Sequence, residues 1–238
     1  MRRLFPFAFL AFGSYAKSSA NESETILDRS LRGMFRISFI DKETLNPKGH
    51  CTGFFISNDG FGVTSSYALE NKEHCKIMVK TYDSREFEAE SSSFENVPGI
   101  EFIIIKSNTE KIPLTKNEIR DGDTAFVLGL KDKYPYFNEV YITDTQQPFM
   151  RKKDGNIKTY RVIKTTPQIP KECVGGPLLN EAGKVVGVVI NLEHGFGASV
   201  PINSIKELNQ GTESSWAVVK LWKSAREGLL RIIENKAN

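Results

Sequence analysis

The hydrophobic positions of this chain fall in short runs, each closed by turn-forming residues. Met34–Ile40, Thr52–Ser57, Ile77–Thr81, Phe102–Lys106, Thr124–Leu128, Val140–Thr143, Tyr160–Lys164 and Val185–Asn191 are rich in β-branched and aromatic side chains. Such residues fit a pleated, half-buried surface, and the runs predict strands. Asn58-Asp59-Gly60 and Asp154-Gly155-Asn156 lie between some of them and predict hairpin turns. No helical period alternates with the strands, which argues against a parallel α/β sheet and for an all-β barrel or sandwich. Lys131–Phe137 reads as a surface loop.

Helical signals sit at the flanks. Glu24–Arg32 predicts a short helix leading into the first strand, and Ser204–Asn209 another after the last strand. In the tail, Ser214–Lys236, the residues Val218, Leu221, Trp222, Ala225, Leu229, Ile232 and Ile233 keep i, i+3, i+4, i+7 spacing. The tail is read as a helix that either packs across the strands or engages a partner.

The first residues follow a different pattern. Arg2 and Arg3 precede a compact apolar run, Leu4–Phe12, and small residues end it at Ala16 or Ala20. Residues 1–20 read as a secretory signal peptide, too short for a membrane span. The other reading is an organelle transit peptide, since no acid precedes Glu22. The whole chain has 32 basic and 29 acidic residues, and the excess of three is Arg2, Arg3 and Lys17. The basicity is thus a targeting feature and gives no support to nucleic-acid binding. No stable membrane span is expected once the leader is removed, and a secreted or periplasmic location follows.

His50 and His194 stand alone beside glycines, and no spacing matches a zinc or calcium site, so no metal or other cofactor is expected. Asn21-Glu22-Ser23 is a glycosylation sequon that matters only in a host that modifies exported proteins. Cys51, Cys75 and Cys173 make an odd count, which in an exported protein suits one disulfide and one free thiol, or three reduced thiols.

Several segments, in order, resemble the HtrA-type branch of the trypsin-like serine proteases. Thr52–Phe61 is similar to that family's GSGFIISxDGY hairpin, and Val63–Leu69 to VTNAHVV. Asp83–Ala89 is similar to DGREFEA, Glu101–Lys106 to the start of DLALLKV, and Gly122–Gly129 to GDWVLAIG. Glu172–Leu178 resembles the nucleophile loop Gly-x-Ser-Gly-Gly-Pro-Leu. Leu179–Val188 and Ala198–Ile202 are similar to LVNxxGxVIGI and FAIPI. The blocks cover roughly residues 30–208. The resemblance implies two antiparallel β-barrels of the chymotrypsin/trypsin type with a C-terminal α-helix. Residues 21–115 would form the first barrel, 116–210 the second and 211–238 the helix, with a boundary near Pro113–Asp121. HtrA-type proteins usually continue into a PDZ domain; this sequence stops at Asn238, and peptide-tail recognition by such a domain is not expected.

The family mechanism needs a serine, a histidine and a carboxylate. The resemblance places Val174, Tyr67 and Glu101 at those positions, with Gly99 as a rival register for the last. Valine has neither an ionisable proton nor a lone pair, and a phenol titrates near ~10, which makes it a poor base at neutral pH. The family's oxyanion hole uses N–H groups at the nucleophile and two residues before it, here Val174 and Glu172, where a glycine is expected. The implied protein is a pseudoprotease that binds a protein or peptide, by strand addition in the old cleft for instance. The alternative is an endopeptidase using Cys173 with His74 and Glu101. Trypsins also often staple the region of Cys51 and Cys75, and the resemblance makes that pair the disulfide candidate, its loop closure worth ~3 kcal/mol.

Overall fold

A computed structural model describes residues 25–203, except 71, 94–98, 116, 118, 132–133, 154–155 and 192–195. The leader, the sequon, His194 and both C-terminal helix expectations lie outside the described residues.

A short helix, α1 (residues 25–32), leads into twelve strands that form two closed antiparallel barrels. The first barrel is built from β1 (Met34–Asp41), β2 (Pro47–Phe55), β3 (Phe61–Ser65), β4 (Cys75–Thr81), β5 (Glu86–Ser93) and β6 (Ile100–Ile104). The order around it is β1-β2-β3-β6-β5-β4. The second uses β7 (Thr124–Lys131), β8 (Tyr134–Lys153), β9 (Asn156–Thr166), β10 (Pro177–Asn180), β11 (Val185–Asn191) and β12 (Gly197–Pro201). Its order is β10-β11-β12-β9-β8-β7.

The apolar runs are continuous because the strands at the seam are buried on both faces. On β6, Ile103 packs inside the first barrel with Phe35, Phe39 and Val79. Its neighbours Ile100, Phe102 and Ile104 turn to the seam, where they join Phe54 and Val63. Leu128, Val188 and Val200 complete that shared core from the second barrel. The interior of the second barrel holds Val127, Ile142, Leu178 and Val189. Phe35 lies over two glycines: a Cβ at Gly53 or Gly62 would stand 2.3 or 2.5 Å from its ring.

β3, β5, β10 and β12 were not among the strands read from side-chain pattern. β3 and β12 carry glycine and serine, while β5 is mostly polar and shows its even-numbered residues Glu86, Glu88 and Glu90 to solvent. The expected loop Lys131–Phe137 is instead a tight hairpin. Lys131 pairs with Tyr134 and Leu130 with Pro135. Phe137 stacks on Phe126 at 5.2 Å between ring centroids, and this burial outweighs the loop-like charge of the segment.

Candidate active site at the barrel seam

Two short 3-10 turns meet β11. The first, Ser66–Leu69, is capped by the Ser65 hydroxyl, which accepts from the Tyr67 N–H at 3.3 Å. The same hydroxyl donates to the Ile190 carbonyl at 3.2 Å. The second, Lys171–Cys173, leads into Val174, and the Gly175 N–H donates to the Val189 carbonyl at 2.8 Å. Successive carbonyls of β11 thus anchor the turn that carries Tyr67 and the loop that carries Val174.

Tyr67 is half-buried. Its hydroxyl lies 3.0 Å from the Tyr160 hydroxyl, and its ring meets Phe149 edge-on at 6.4 Å. Phe149 and Tyr160 face each other across β8 and β9 with ring centroids 5.4 Å apart. The root of the β8–β9 hairpin thereby covers Tyr67.

Of the two registers for the carboxylate, the segment adjoining the Tyr67 turn is that of Gly99, whose carbonyl accepts from the Ser66 N–H at 3.0 Å. Gly99 has φ +85°, and a Cβ there would lie 3.2 Å from the Tyr160 hydroxyl oxygen. Glu101 stands further along β6, opposite Thr64 and partly buried.

The loop around Val174 is held by its own backbone and by Thr52. The Val174 N–H donates to the Lys171 carbonyl at 3.1 Å, and its carbonyl accepts from the Thr52 N–H at 3.3 Å. The Thr52 hydroxyl donates to the Glu172 carbonyl at 2.8 Å and accepts from the Leu130 N–H at 2.9 Å. Backbone hydrogen bonding at Glu172 holds its carboxyl below the ordinary carboxylate range, and Lys131 at 3.6 Å adds to the effect. The Val174 N–H therefore already has an acceptor. The paired glycines are required by space: at Gly175 (φ +85°) a Cβ would fall 2.1 Å from the Thr52 carbonyl oxygen, and at Gly176 2.1 Å from that of Leu128.

Cys173 points away from the seam. It is fully buried, with Val127, Leu178 and Val189 in its cluster, and burial, followed by the charge of Glu172, pushes its thiol up to about 12. A thiolate nucleophile needs the opposite shift. His74 is exposed in the turn before β4 and His50 is exposed on β2, so neither lies in the second-barrel core that holds Cys173.

The Cys51–Cys75 bridge does not form; both are free thiols. Cys51 pairs with Ile37 and Cys75 with Asp41, on opposite sides of β1. Four residues of strand separate those positions by about 13 Å, whereas a disulfide needs Cα atoms within about 7 Å. Cys51 instead faces the Thr64 hydroxyl at 3.7 Å, and burial raises its thiol to about 12 against that hydrogen bond.

Tyr160 and Thr52 were not among the candidate residues of the sequence. Tyr160 stood in a predicted strand and Thr52 began a motif, but nothing local marked their hydroxyls as partners of Tyr67 and of the Val174 loop.

Two six-stranded barrels with a glycine-paired loop at their seam define the trypsin-like architecture. The family profile described as "Trypsin-like peptidase domain" matches residues 51–188, more than half of the chain, and the chain belongs to that family. A "Probable periplasmic serine endoprotease DegP-like" of Chlamydia trachomatis is 28% identical over 156 residues, 63% of this chain and 30% of that protein. "Serine protease HTRA4" of Mus musculus is 27% identical over 180 residues, 73% of this chain and 36% of that protein. The chain thus spans about a third of the length of these HtrA-type relatives. The crystal structure of the serine endoprotease from Yersinia pestis superimposes with a TM-score of 0.64 at 17% identity, covering 79% of this chain and 65% of that one.

Proposed function

We propose that this chain is an exported trypsin-like protease homologue that does not cleave peptide bonds and acts by binding a protein or peptide. The observation that carries the reading is Val174. The nucleophile position holds a side chain without a lone pair, and its N–H is turned onto the Lys171 carbonyl. The Tyr67 hydroxyl, at the base position, lies against Tyr160. Loss of nucleophile and base together leaves little beyond binding energy for rate enhancement. Export is supported by the leader-like residues 1–20 and by relatives named as periplasmic endoproteases.

The test is hydrolysis of a mixed peptide library by the purified protein lacking residues 1–20, read by mass spectrometry beside Cys173→Ala. No new peptide termini are expected from either protein. Cleavage that disappears in Cys173→Ala would overturn the reading and make Cys173 the nucleophile.

A further inference from the structure

The β8–β9 ribbon outruns the barrel that carries it. β8 pairs with β7 only over Tyr134–Tyr141, and β9 with β12 only over Ile163–Thr165. Yet β8 and β9 continue to pair with each other from Gln147↔Val162 to Lys153↔Asn156. Among the described residues, each strand of this stretch has a ladder partner on one side alone. Seven residues per strand extend it by about 20 Å. An unpaired edge of that length is a template for another strand. Pro148 suits such a place, because proline is tolerated in a strand where no ladder partner needs its N–H. Beyond it, Phe149–Lys153 has no proline.

The charge of the ribbon selects among occupants. The sequence puts Arg151, Lys152 and Lys153 on β8 and Lys158 and Arg161 on β9, with no acid in either paired stretch. The chain as a whole is nearly balanced, 32 basic to 29 acidic residues, so this is a local concentration. A second copy of the ribbon would meet it with like charge, which disfavours self-pairing. Met150 and Ile157, at positions that share one ribbon face, are 74% and 66% exposed and leave apolar surface for alternate side chains of an added strand.

We propose that the outer edge of β8, Phe149–Lys153, takes up an acidic, extended segment of a partner protein as an added strand. Main-chain hydrogen bonds would supply the pairing, and the basic residues the choice of an acidic sequence. The inference rests on the chain being a binding protein, but it places the partner on the ribbon and not in the old cleft.

The probe is a labelled peptide alternating glutamate and valine, with binding followed by fluorescence anisotropy. Binding that weakens with added salt is expected, as is its absence for the lysine–valine counterpart. Arg151→Gln/Lys152→Gln/Lys153→Gln should weaken it at least about tenfold. Alternate N-methylation of the peptide, which removes main-chain donors without touching the protein, should do the same. Unchanged affinity of the triple variant would move the site off the ribbon and sink the inference, leaving the binding-protein reading intact. Unchanged affinity of the methylated peptide would exclude strand addition. Failure to bind the peptide, with capture of phosphatidylserine vesicles, would replace the peptide by a membrane surface. Hydrolysis of the probe by the unmodified protein would instead overturn the non-cleaving reading itself.

Discussion

The Tyr67 and Tyr160 hydroxyl groups lie 3.0 Å apart across the seam between the barrels. One comes from the turn after β3, the other from the middle of β9. Each hydroxyl can donate and accept, so the contact ties the two barrels without needing a charge. Tyr67→Phe should lower stability by about 0.5–1.5 kcal/mol, seen as a small fall in melting temperature.

On the proposed non-cleaving reading, histidine and serine at positions 67 and 174 should not confer protease activity. In Tyr67→His/Val174→Ser, the N–H of residue 174 would still face the Lys171 carbonyl. A backbone donor already bonded to another carbonyl contributes no stabilisation to a tetrahedral intermediate. Casein hydrolysis by the double variant is expected to stay at background; turnover at a protease-like rate would show that the loop rearranges on its own.

Thr52 holds the loop in this state. Thr52→Val keeps the shape but leaves the Glu172 carbonyl and the Leu130 N–H without the hydroxyl that joins them. The expected loss is about 1–3 kcal/mol, measured by urea denaturation. Gly175→Ala should cost about 3 kcal/mol or more, since strain at positive φ adds to the clash. A Gly175→Ala midpoint equal to that of the parent would contradict the packing described.

The thiols give a pH signature. Cys51 and Cys173 rise from 9.0 to about 12 in the folded protein. A raised value means that the folded chain holds protons which the unfolded chain releases. Stability from these groups is therefore intact below pH 9 and is lost as pH rises from 9 toward 12. Denaturation midpoints should fall across that window, and Cys51→Ala/Cys173→Ala should flatten the fall. At pH 8, with no reductant, a thiol reagent should label half-buried Cys75 fastest in the native protein and all three cysteines in denaturant. Labelling of a single cysteine in denaturant would mean that a disulfide exists after all.

Much of this protein was legible from residues alone. Strands such as Thr124–Leu128 and Val185–Asn191 could be read because β-branched side chains buried on both faces leave a local signature. The loop after Val174 could be read because Gly175-Gly176-Pro177-Leu178 is a compact local signature. Both glycines of that loop have a spatial reason for being glycine, since a Cβ at Gly175 or Gly176 would meet a backbone carbonyl oxygen at 2.1 Å.

Pairing in space was decided by the tertiary structure alone. The place of Gly99 beside the Tyr67 turn, the separation of Cys51 from Cys75 and the meeting of Tyr67 with Tyr160 all depend on which strands close each barrel and in what stagger. Shifting a strand by one residue reverses every side chain on it, yet leaves its composition untouched. A sequence therefore specifies which groups are present and which segments are extended. Closure of the two barrels specifies which of those groups touch, because only the closed sheets fix distances between residues far apart in the chain.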